Sequence, residues 1–266
     1  TLIRSTVSED VASQDQGLTR LDFTPTIRVP FTRWPFFRIN SSVSWRSTYW
    51  SESLNLAGTR VEEGIGRQFF DFRSTFTGPS FNRIFDTPQN GFAQRWKHVI
   101  EPSVTVQRTT AVDNFNRIVQ LETATDFIVG GVTTYTYGLT NRLYAKKESS
   151  REIANLSVNQ RYYTQAIAAQ CDVNYISTCG APTRDEDETN FSPVSVLARI
   201  SPTDHAQGQF RTEWNPRAKT FTTVSAGGSF RFSEHVQTSA NWSMRRFIED
   251  LPGFDNEFSA SHNVDA

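Results

Sequence analysis

The sequence lacks any long apolar run. Its longest candidate, FIVGGV at residues 127–132, is far shorter than the roughly 18–20 residues that a membrane-spanning helix needs. A helical membrane protein is therefore excluded. The mean hydropathy of the chain is negative, but this does not exclude a membrane β-barrel. Lipid-facing and lumen-facing residues alternate along barrel strands, so their contributions to the average cancel.

The chain also has little net charge, a single methionine and only two cysteines. The 266 residues carry a net charge of −1, which gives no reason to expect a nucleic-acid partner. The chain has one Met and starts at Thr1. Cys171 and Cys179 fall in one predicted loop. A pair this close suits a disulfide in an oxidising compartment, and two free thiols are the alternative.

Motifs that carry enzyme or metal chemistry are absent from the sequence. The four histidines, His98, His205, His235 and His262, have no zinc-ligand spacing. The chain has no phosphate-binding loop and no nucleophile elbow. We therefore predict no cofactor, no metal site and no catalytic residues.

What the sequence does contain is alternation of apolar and polar residues. In the stretch 135–163, Tyr135, Tyr137 and Leu139 alternate with polar residues, and Leu156 and Val158 do the same further on. Successive side chains of a strand point to opposite faces, so each run predicts a strand with one apolar face. Similar runs predict about eleven strands, at 20–31, 37–49, 69–77, 98–107, 135–143, 154–162, 194–202, 206–214, 221–232, 235–245 and 256–264.

Strand length and connection length together indicate the fold class. Many runs keep alternating for about ten residues, which suits a tilted membrane crossing better than the shorter strands of a soluble sandwich. Short connections tend to alternate with long ones, as in outer-membrane barrels. The link 78–96 is the exception, and it contains either an insertion or an undetected strand. We predict an all-β, antiparallel up-and-down transmembrane β-barrel, of which the chain is a part; a soluble β-rich binding protein is the alternative.

The alternation assigns the two faces of the predicted sheet. The aromatic content of 13% falls largely on the apolar face, often near strand ends, as membrane-interface girdles require. The residues predicted to face lipid are Phe37, Val43, Trp45, Phe70, Phe72, Tyr137, Leu156, Val158, Tyr162 and Trp242. The basic residues predicted to face the lumen are Arg38, Arg46, Arg73, Arg142, Arg161, Arg199, Arg211 and Arg245.

The arginines of the polar face outnumber the acids of that face. This bias favours an anionic cargo or an anionic plug, because guanidinium groups bind phosphate and carboxylate bidentately. The alternative is that these arginines pair with acids and serve solubility and packing. Pro25 and Pro102 interrupt strand patterns and predict local bends. The acidic segment 184–188 suits a solvated loop tip, or alternatively a divalent cation site at the outer surface.

Four motifs resemble one known family. HVIEP at 98–102, YGLTNRLYAKK at 137–147 and LSVNQRYY at 156–163 resemble, in order and spacing, the barrel domain of the LptD family, the lipopolysaccharide (LPS) assembly proteins also called organic solvent tolerance proteins. WRSTYW at 45–50 resembles a strand further upstream in that family. The resemblance is clearest over residues 37–163.

The resemblance implies a very large barrel in the outer membrane of a Gram-negative bacterium that inserts LPS into the outer leaflet, without enzyme activity. Its partners would be LPS, membrane lipid, a lipoprotein plug similar to LptE, and a periplasmic LPS-bridge protein reached through an N-terminal jellyroll domain. We expect residues 1–266 to be part of one barrel domain, lacking the jellyroll and the barrel ends. The family's adjacent Cys pair does not match Cys171 and Cys179, so a local loop disulfide is expected. A porin-like channel is the alternative function.

Overall fold

The computed structural model describes residues 3–5, 17–121, 126, 128–170, 172, 175, 189–216, 219–234, 236–246 and 260–265. Cys171, Cys179 and the acidic segment 184–188 lie outside the described residues. The predictions of a loop disulfide and of a cation site or solvated tip at 184–188 therefore stay predictions.

The described residues form sixteen strands and two short helical turns. The strands are β1 (Ile3–Ser5), β2 (Leu18–Phe23), β3 (Thr26–Trp34), β4 (Phe37–Trp50), β5 (Ser53–Leu54), β6 (Arg60–Val61), β7 (Ile65–Thr77), β8 (Phe81–Asp86), β9 (Arg95–Thr109), β10 (Val132–Lys146), β11 (Ser150–Tyr163), β12 (Val194–Ile200), β13 (Ala206–Asn215), β14 (Thr220–Arg231), β15 (Gln237–Arg246) and β16 (Ala260–Asp265). A 3-10 turn spans Phe115–Arg117, and helix α1 spans Ala166–Gln170. Within the described part of the chain, neither reaches the length or apolar character of a membrane-crossing helix.

Fourteen of the described strands form one sheet whose strands follow the order of the sequence, with β3 and β8 off the main path. The hydrogen-bonded order is β1-β2-β4-β7-β9-β10-β11-β12-β13-β14-β15-β16, with β3 paired to β4 and β8 paired to β9. The strands β5 and β6 form a separate two-stranded sheet. This order confirms the predicted all-β, antiparallel up-and-down fold class.

The predicted strand 20–31 is two strands in the structure. The break falls at Thr24 and Pro25, between β2 and β3. Proline has no backbone N–H to donate to the sheet, which explains the interruption. The Pro25 carbonyl still accepts a hydrogen bond from the Trp45 N–H at 3.2 Å. Pro102, in contrast, lies inside β9 without ending it.

The irregular link 78–96 contains a strand that the sequence pattern did not predict. Strand β8 pairs with the first part of β9, from Phe81 opposite Ile100 to Asp86 opposite Arg95. It follows β7 directly after the segment 78–80, where Gly78 has a φ of 110° and the Gly78–Pro79 peptide bond is cis. With β8 included, the β8–β9 connection shortens to 87–94. The predicted alternation of connection lengths then also holds at this position.

The chain divides into two compact units, and the first comprises residues Thr1–Pro30, Asn40–Ser74 and Val106–Thr133. Its described part contains a small apolar cluster of Leu18, Trp50, Ile65 and Ile118, each less than 10% exposed. Leu18 and Trp50 come from neighbouring strands, whereas Ile118 belongs to the long connection after β9.

The second unit comprises residues Phe31–Ile39, Thr75–Thr105 and Thr134–Ala266. Its strands β10 to β16 pair in sequence order. The connections 147–149, 201–205 and 232–236 are short, and 164–193 and 247–259 are long, as predicted. The turn 216–219 is short where the alternation predicts a long loop. The prediction of one barrel domain stays a prediction.

Candidate functional site

The strand registers place apolar residues opposite apolar residues. In an antiparallel pair, residues directly opposite each other point to the same face. Between β10 and β11, Leu139 lies opposite Val158 and Tyr135 opposite Tyr162. The intervening pairs are polar, with Thr140 opposite Ser157. The apolar series of both strands therefore share one face, which we call the outer face, and the polar series share the other, the inner face.

The same division continues from β11 to β16. On the outer face, Val158 lies opposite Val196 on β12, and further along Ala226 on β14 lies opposite Trp242 on β15. On the inner face, the register pairs are mostly polar: Asn155–Arg199, Arg199–Gln209, Ser195–Glu213, Glu213–Thr223, Thr223–Arg245 and Arg245–Ser261. Leu197 is an exception on the inner face, opposite Ser157 and Arg211. Two chemically different surfaces thus run across seven consecutive strands.

The residues predicted to face lipid are not covered by other parts of the described chain. Each of the ten is exposed or half-buried, and none is buried. Phe70, Phe72, Tyr137 and Leu156 keep between 39% and 45% of their surface exposed. A soluble protein would bury such side chains in a core, because burying a Leu or Phe side chain gains about 1.5–3 kcal/mol. What contacts the outer face is therefore not the described part of this chain.

Aromatic rings mark both ends of the outer face in β13 and β14. Trp214 lies opposite Phe221 at one end of this strand pair. At the other end, the ring centroids of Phe230 and Phe232 are 4.7 Å apart. Phe221 and Phe230 are nine residues apart, which at about 3.4 Å per residue and a tilt of about 40° is roughly 23 Å along the membrane normal. Outer-membrane barrels have an apolar band of about 25 Å between their aromatic girdles.

Most of the predicted inner-face arginines have an acidic partner. Arg38, Arg46, Arg142, Arg161 and Arg211 each form an ion pair with a carboxylate. Arg73 and Arg199 form no ion pair within the described residues. Pairing therefore accounts for five of the eight arginines, whereas Arg73 and Arg199 have no ion pair in that part of the chain.

A buried glutamate joins two of these arginines in the second unit. Glu101 on β9 is 5% exposed. Its Oε1 accepts hydrogen bonds from Arg38 Nη2 at 2.6 Å and from the Ser80 hydroxyl at 3.1 Å, and its Oε2 accepts one from Arg142 Nη1 at 2.7 Å. Three strands, β4, β9 and β10, contribute these charges. The cluster carries a net positive charge of one and links these three strands through their side chains.

A second charged cluster surrounds Trp50 in the first unit. The guanidinium carbons of Arg20 and Arg67 lie 5.8 Å and 4.9 Å from the centroid of the Trp50 ring. Asp126, from the long connection after β9, lies 3.0 Å from Arg20, and its carbonyl accepts a hydrogen bond from Arg67 at 2.5 Å. All four side chains are at most 3% exposed. Part of the connection 110–131 is thus held against the inner face of this unit.

The acid of strand β2 completes this second cluster. Asp22 accepts hydrogen bonds from Arg46 Nε at 2.9 Å and from the Thr48 hydroxyl at 3.1 Å. Arg20 Nη2 is 3.4 Å from the same carboxylate. Sequence parity predicted Arg46 and Asp22 on one face but missed Trp50, Arg67 and Asp126 as a group. Asp126 is 106 positions from Arg20, and no local pattern signals a contact over that separation.

In the second unit, two further acids form ion pairs with arginines that were predicted to face the lumen. Asp172, in the connection after β11, lies 2.6 Å from Arg161 and also accepts a hydrogen bond from the Tyr163 hydroxyl. On β13, Glu213 accepts a hydrogen bond from Arg211 at 2.7 Å. Asp172 follows a predicted strand end, so only its position in a loop could be read from the sequence.

An open cavity of about 540 Å³ lies on the inner face of β12 to β16. Its lining is dominated by hydroxyl, amide and glycine positions, including Gln209, Gly227, Asn241 and Ser243. Arg199 and Asp265 are the charged residues among its lining residues. The surface can therefore offer hydrogen-bonding groups, one cation and one carboxylate to a polar ligand.

Comparison with known proteins finds one family. The model of the LptD family, described as LPS transport system D, matches residues 123–247. The matched region contains the motifs at 137–147 and 156–163, but not those at 45–50 and 98–102. It also extends past residue 163, where the resemblance in the sequence is weak. The family is described as a transport system, not as an enzyme. No curated protein matches the chain.

Two solved structures have distant similarity to the chain. One is the Salmonella typhi outer membrane phospholipase (OMPLA) dimer with bound calcium, at 10% identity and a TM-score of 0.32, covering 93% of this chain and 76% of that chain. The other is outer membrane phospholipase A from Escherichia coli, at 10% identity and a TM-score of 0.31, covering 99% of this chain and 87% of that chain. Similarity this low says nothing about what the present chain does. Over residues 123–247, the chain matches the model of the LptD family of LPS transport proteins, which confirms the resemblance seen in its sequence.

Proposed function

We propose that this chain is a segment of an outer-membrane β-barrel that transports LPS and inserts it into the outer leaflet of a Gram-negative bacterium. The observation that carries the proposal is the family match over residues 123–247, which coincides with strands whose registers separate an apolar from a polar face. The function is transport and assembly, with no catalytic step.

The outer face would contact membrane lipid. Its exposed Phe, Tyr, Leu and Val side chains are of the type found in the apolar band of membrane barrels. The aromatic rings of Trp214 and Phe221 at one end, and of Phe230 and Phe232 at the other, would lie at the two membrane interfaces, where amphipathic or large rings are enriched.

The inner face would line the lumen and contact LPS and a lipoprotein plug similar to LptE. Arg73 and Arg199 support contact with an anion, because neither has an ion pair among the described residues. Arginine binds phosphate groups bidentately, and LPS carries phosphates. Contact with a periplasmic LPS-bridge protein would require a further domain of the parent protein.

Delivery of LPS to the cell surface tests the proposal directly. In cells whose only copy of the parent protein carries both Arg73→Glu and Arg199→Glu, we expect reduced arrival of newly made LPS at the surface, measured by surface labelling. The amount of folded protein in the outer membrane should stay unchanged. The matched control is Arg151→Glu, on the short turn side. If LPS still reaches the cell surface normally after the wild-type protein is depleted, the proposal is wrong.

A porin-like channel is distinguished by conductance. A plugged LPS transporter reconstituted in a planar bilayer with its lipoprotein should conduct ions poorly, whereas a porin should conduct strongly. High conductance together with normal LPS delivery after depletion would favour the porin.

A further inference from the structure

The hairpin of β8 and β9 has a basic side chain on its outer face. Phe81 lies opposite Ile100, Arg83 opposite His98 and Phe85 opposite Trp96. Opposite residues share a face, so these six side chains project together, on the side of Ile100 that the alternation of β9 assigns to the outer face. Among the described outer-face positions named above, which are aromatic or aliphatic, an arginine is unusual.

Arg83 has no acidic partner in the described residues. Its guanidinium carbon lies 5.0 Å from the centroid of the Phe85 ring, a cation–π contact. The acid of this hairpin, Asp86, is on the opposite face, where it lies 2.6 Å from Arg95. The charge of Arg83 is therefore available to a ligand outside the chain.

The surroundings of Arg83 are those of a membrane interface. Phe81, Phe85 and Phe92 are between 42% and 60% exposed, and Phe92 stacks on Trp96 with the ring centroids 5.8 Å apart. The Gln94 N–H donates to the Lys146 carbonyl, so the hairpin end lies beside the short turn 147–149. Short turns mark the periplasmic side of outer-membrane barrels. An arginine that lies among aromatic rings near the short turns of a barrel is at the level of the lipid headgroups.

From these contacts we infer that Arg83, with His98 beside it, forms a binding site for the headgroup phosphate of an anionic phospholipid in the periplasmic leaflet. The site rests on the proposed function in one respect, because the outer face must contact lipid. It is separate from LPS transport: the ligand is a structural phospholipid, bound on the outside of the sheet. Phe81 and Phe85 would contact the glycerol and upper acyl region, while the guanidinium donates to the phosphate.

Lipid retention by the purified full-length protein tests the site. The protein is extracted into detergent containing equal amounts of phosphatidylglycerol and phosphatidylcholine with the same acyl chains, and the retained lipids are counted by native mass spectrometry. We expect the wild type to prefer phosphatidylglycerol. Arg83→Gln should lower this preference by about fivefold, the effect of one basic residue near an anionic surface. Arg83→Lys should retain most of it.

The matched control is Arg95→Gln, which removes an arginine from the opposite face of the same hairpin and should leave the lipid preference unchanged. Equal preference in the wild type and Arg83→Gln would overturn the site, as would an equal loss in Arg95→Gln. Equal retention of phosphatidylglycerol and phosphatidylcholine by the wild type would also overturn it. If Arg83→Gln does not fold, the wild type is measured at high salt, where an unchanged preference would overturn the site. Failure of the wild type to insert into vesicles would instead contradict the proposed function.

Discussion

Arg142 on β10 donates a hydrogen bond from Nη1 to Oε2 of Glu101 on β9 at 2.7 Å, while the other oxygen of the same carboxylate is bound by Arg38. Glu101 is almost fully buried, whereas Arg38 and Arg142 keep 54% and 34% of their side-chain surface exposed. Water therefore reaches the two arginines but hardly reaches the carboxylate, so the carboxylate depends on the arginines for its hydrogen bonds.

Replacing Glu101 by Ala should destabilise the protein by about 2 kcal/mol, because charge-assisted hydrogen bonds are lost and two arginines are left close together. The free energy of unfolding in urea, measured on protein folded into lipid vesicles, checks this. Asp204→Ala is the control: it removes an ion pair to Arg151 of the same length, 2.7 Å, but Asp204 is 86% exposed. Exposed pairs contribute little. Equal effects of the two substitutions would contradict the structural role of Glu101.

Two glycines of the inner face lie beneath asparagine side chains. A Cβ at Gly227 would lie 2.2 Å from Asn241 Oδ1, with the nearest backbone atom at 3.6 Å. A Cβ at Gly138 would lie 2.0 Å from Asn159 Oδ1 but also 2.7 Å from the Val158 carbonyl oxygen. Only the first clash is confined to a side chain.

Gly227→Ala and Gly138→Ala should therefore both destabilise the fold, but only the first should be rescued by shortening the asparagine. We expect Asn241→Ala to restore most of the stability of Gly227→Ala, and Asn159→Ala to leave a deficit of about 1–3 kcal/mol in Gly138→Ala, typical of overpacking. Double-mutant cycles on unfolding free energies measure this. Equal rescue at both sites would show that the backbone contact at Gly138 is unimportant.

Asp126 should hold the connection 110–131 in place. Its carboxylate contacts Arg20 and accepts a hydrogen bond from the Leu121 N–H at 2.9 Å. Asp126→Ala should allow this connection to open and should speed tryptic cleavage after Arg117 by about tenfold or more, since each charge-assisted contact contributes more than about 1.4 kcal/mol. Asp113→Ala, an exposed acid of the same connection, is the control. Unchanged cleavage in Asp126→Ala would contradict the clamp.

The two faces of β11 should respond differently to charge. Val158 is on the outer face, opposite Leu139 and Val196, and its neighbour Ser157 is on the inner face. Val158→Arg should cost about 2–4 kcal/mol if the residue lies near the bilayer midplane. Ser157→Arg should cost far less, because water reaches the inner face. Urea unfolding in vesicles measures both, and two equally mild substitutions would show that the faces are wrongly assigned.

The period-two alternation was sufficient to predict most strands of the sheet. Leu139 and Val158, for example, belong to the apolar series of two predicted strands and lie opposite each other in the structure. The reason is that a strand has only two faces, so alternation over ten residues leaves one consistent assignment. Proline was less informative: Pro25 interrupts a strand, whereas Pro102 does not. The effect depends on the neighbouring strand, which the local sequence does not specify.

Contacts between distant residues could not be predicted. Strand β8 lacks clear alternation, since Phe81 and Phe85 flank Arg83 on one face while Ile84 lies on the other. The Trp50 cluster depends on Asp126, which comes from a long connection with no repeating pattern. Arg199 and Arg245 lie opposite polar residues, Asn155 and Thr223, but which of the predicted arginines pair with acids depends on the register between strands, which parity does not specify.

Spin-label accessibility along β14 tests most directly whether the outer face meets hydrocarbon. Labels are placed singly at positions 223 to 226 and 228 to 230 of the protein reconstituted in lipid vesicles, and collisions with oxygen and with a water-soluble nickel complex are compared. We expect high oxygen and low nickel access at Val224, Ala226 and Gly228, and the reverse at Thr223, Ser225 and Ser229. Low access to both reagents at the outer-face positions would place them in a protein core and contradict the membrane assignment.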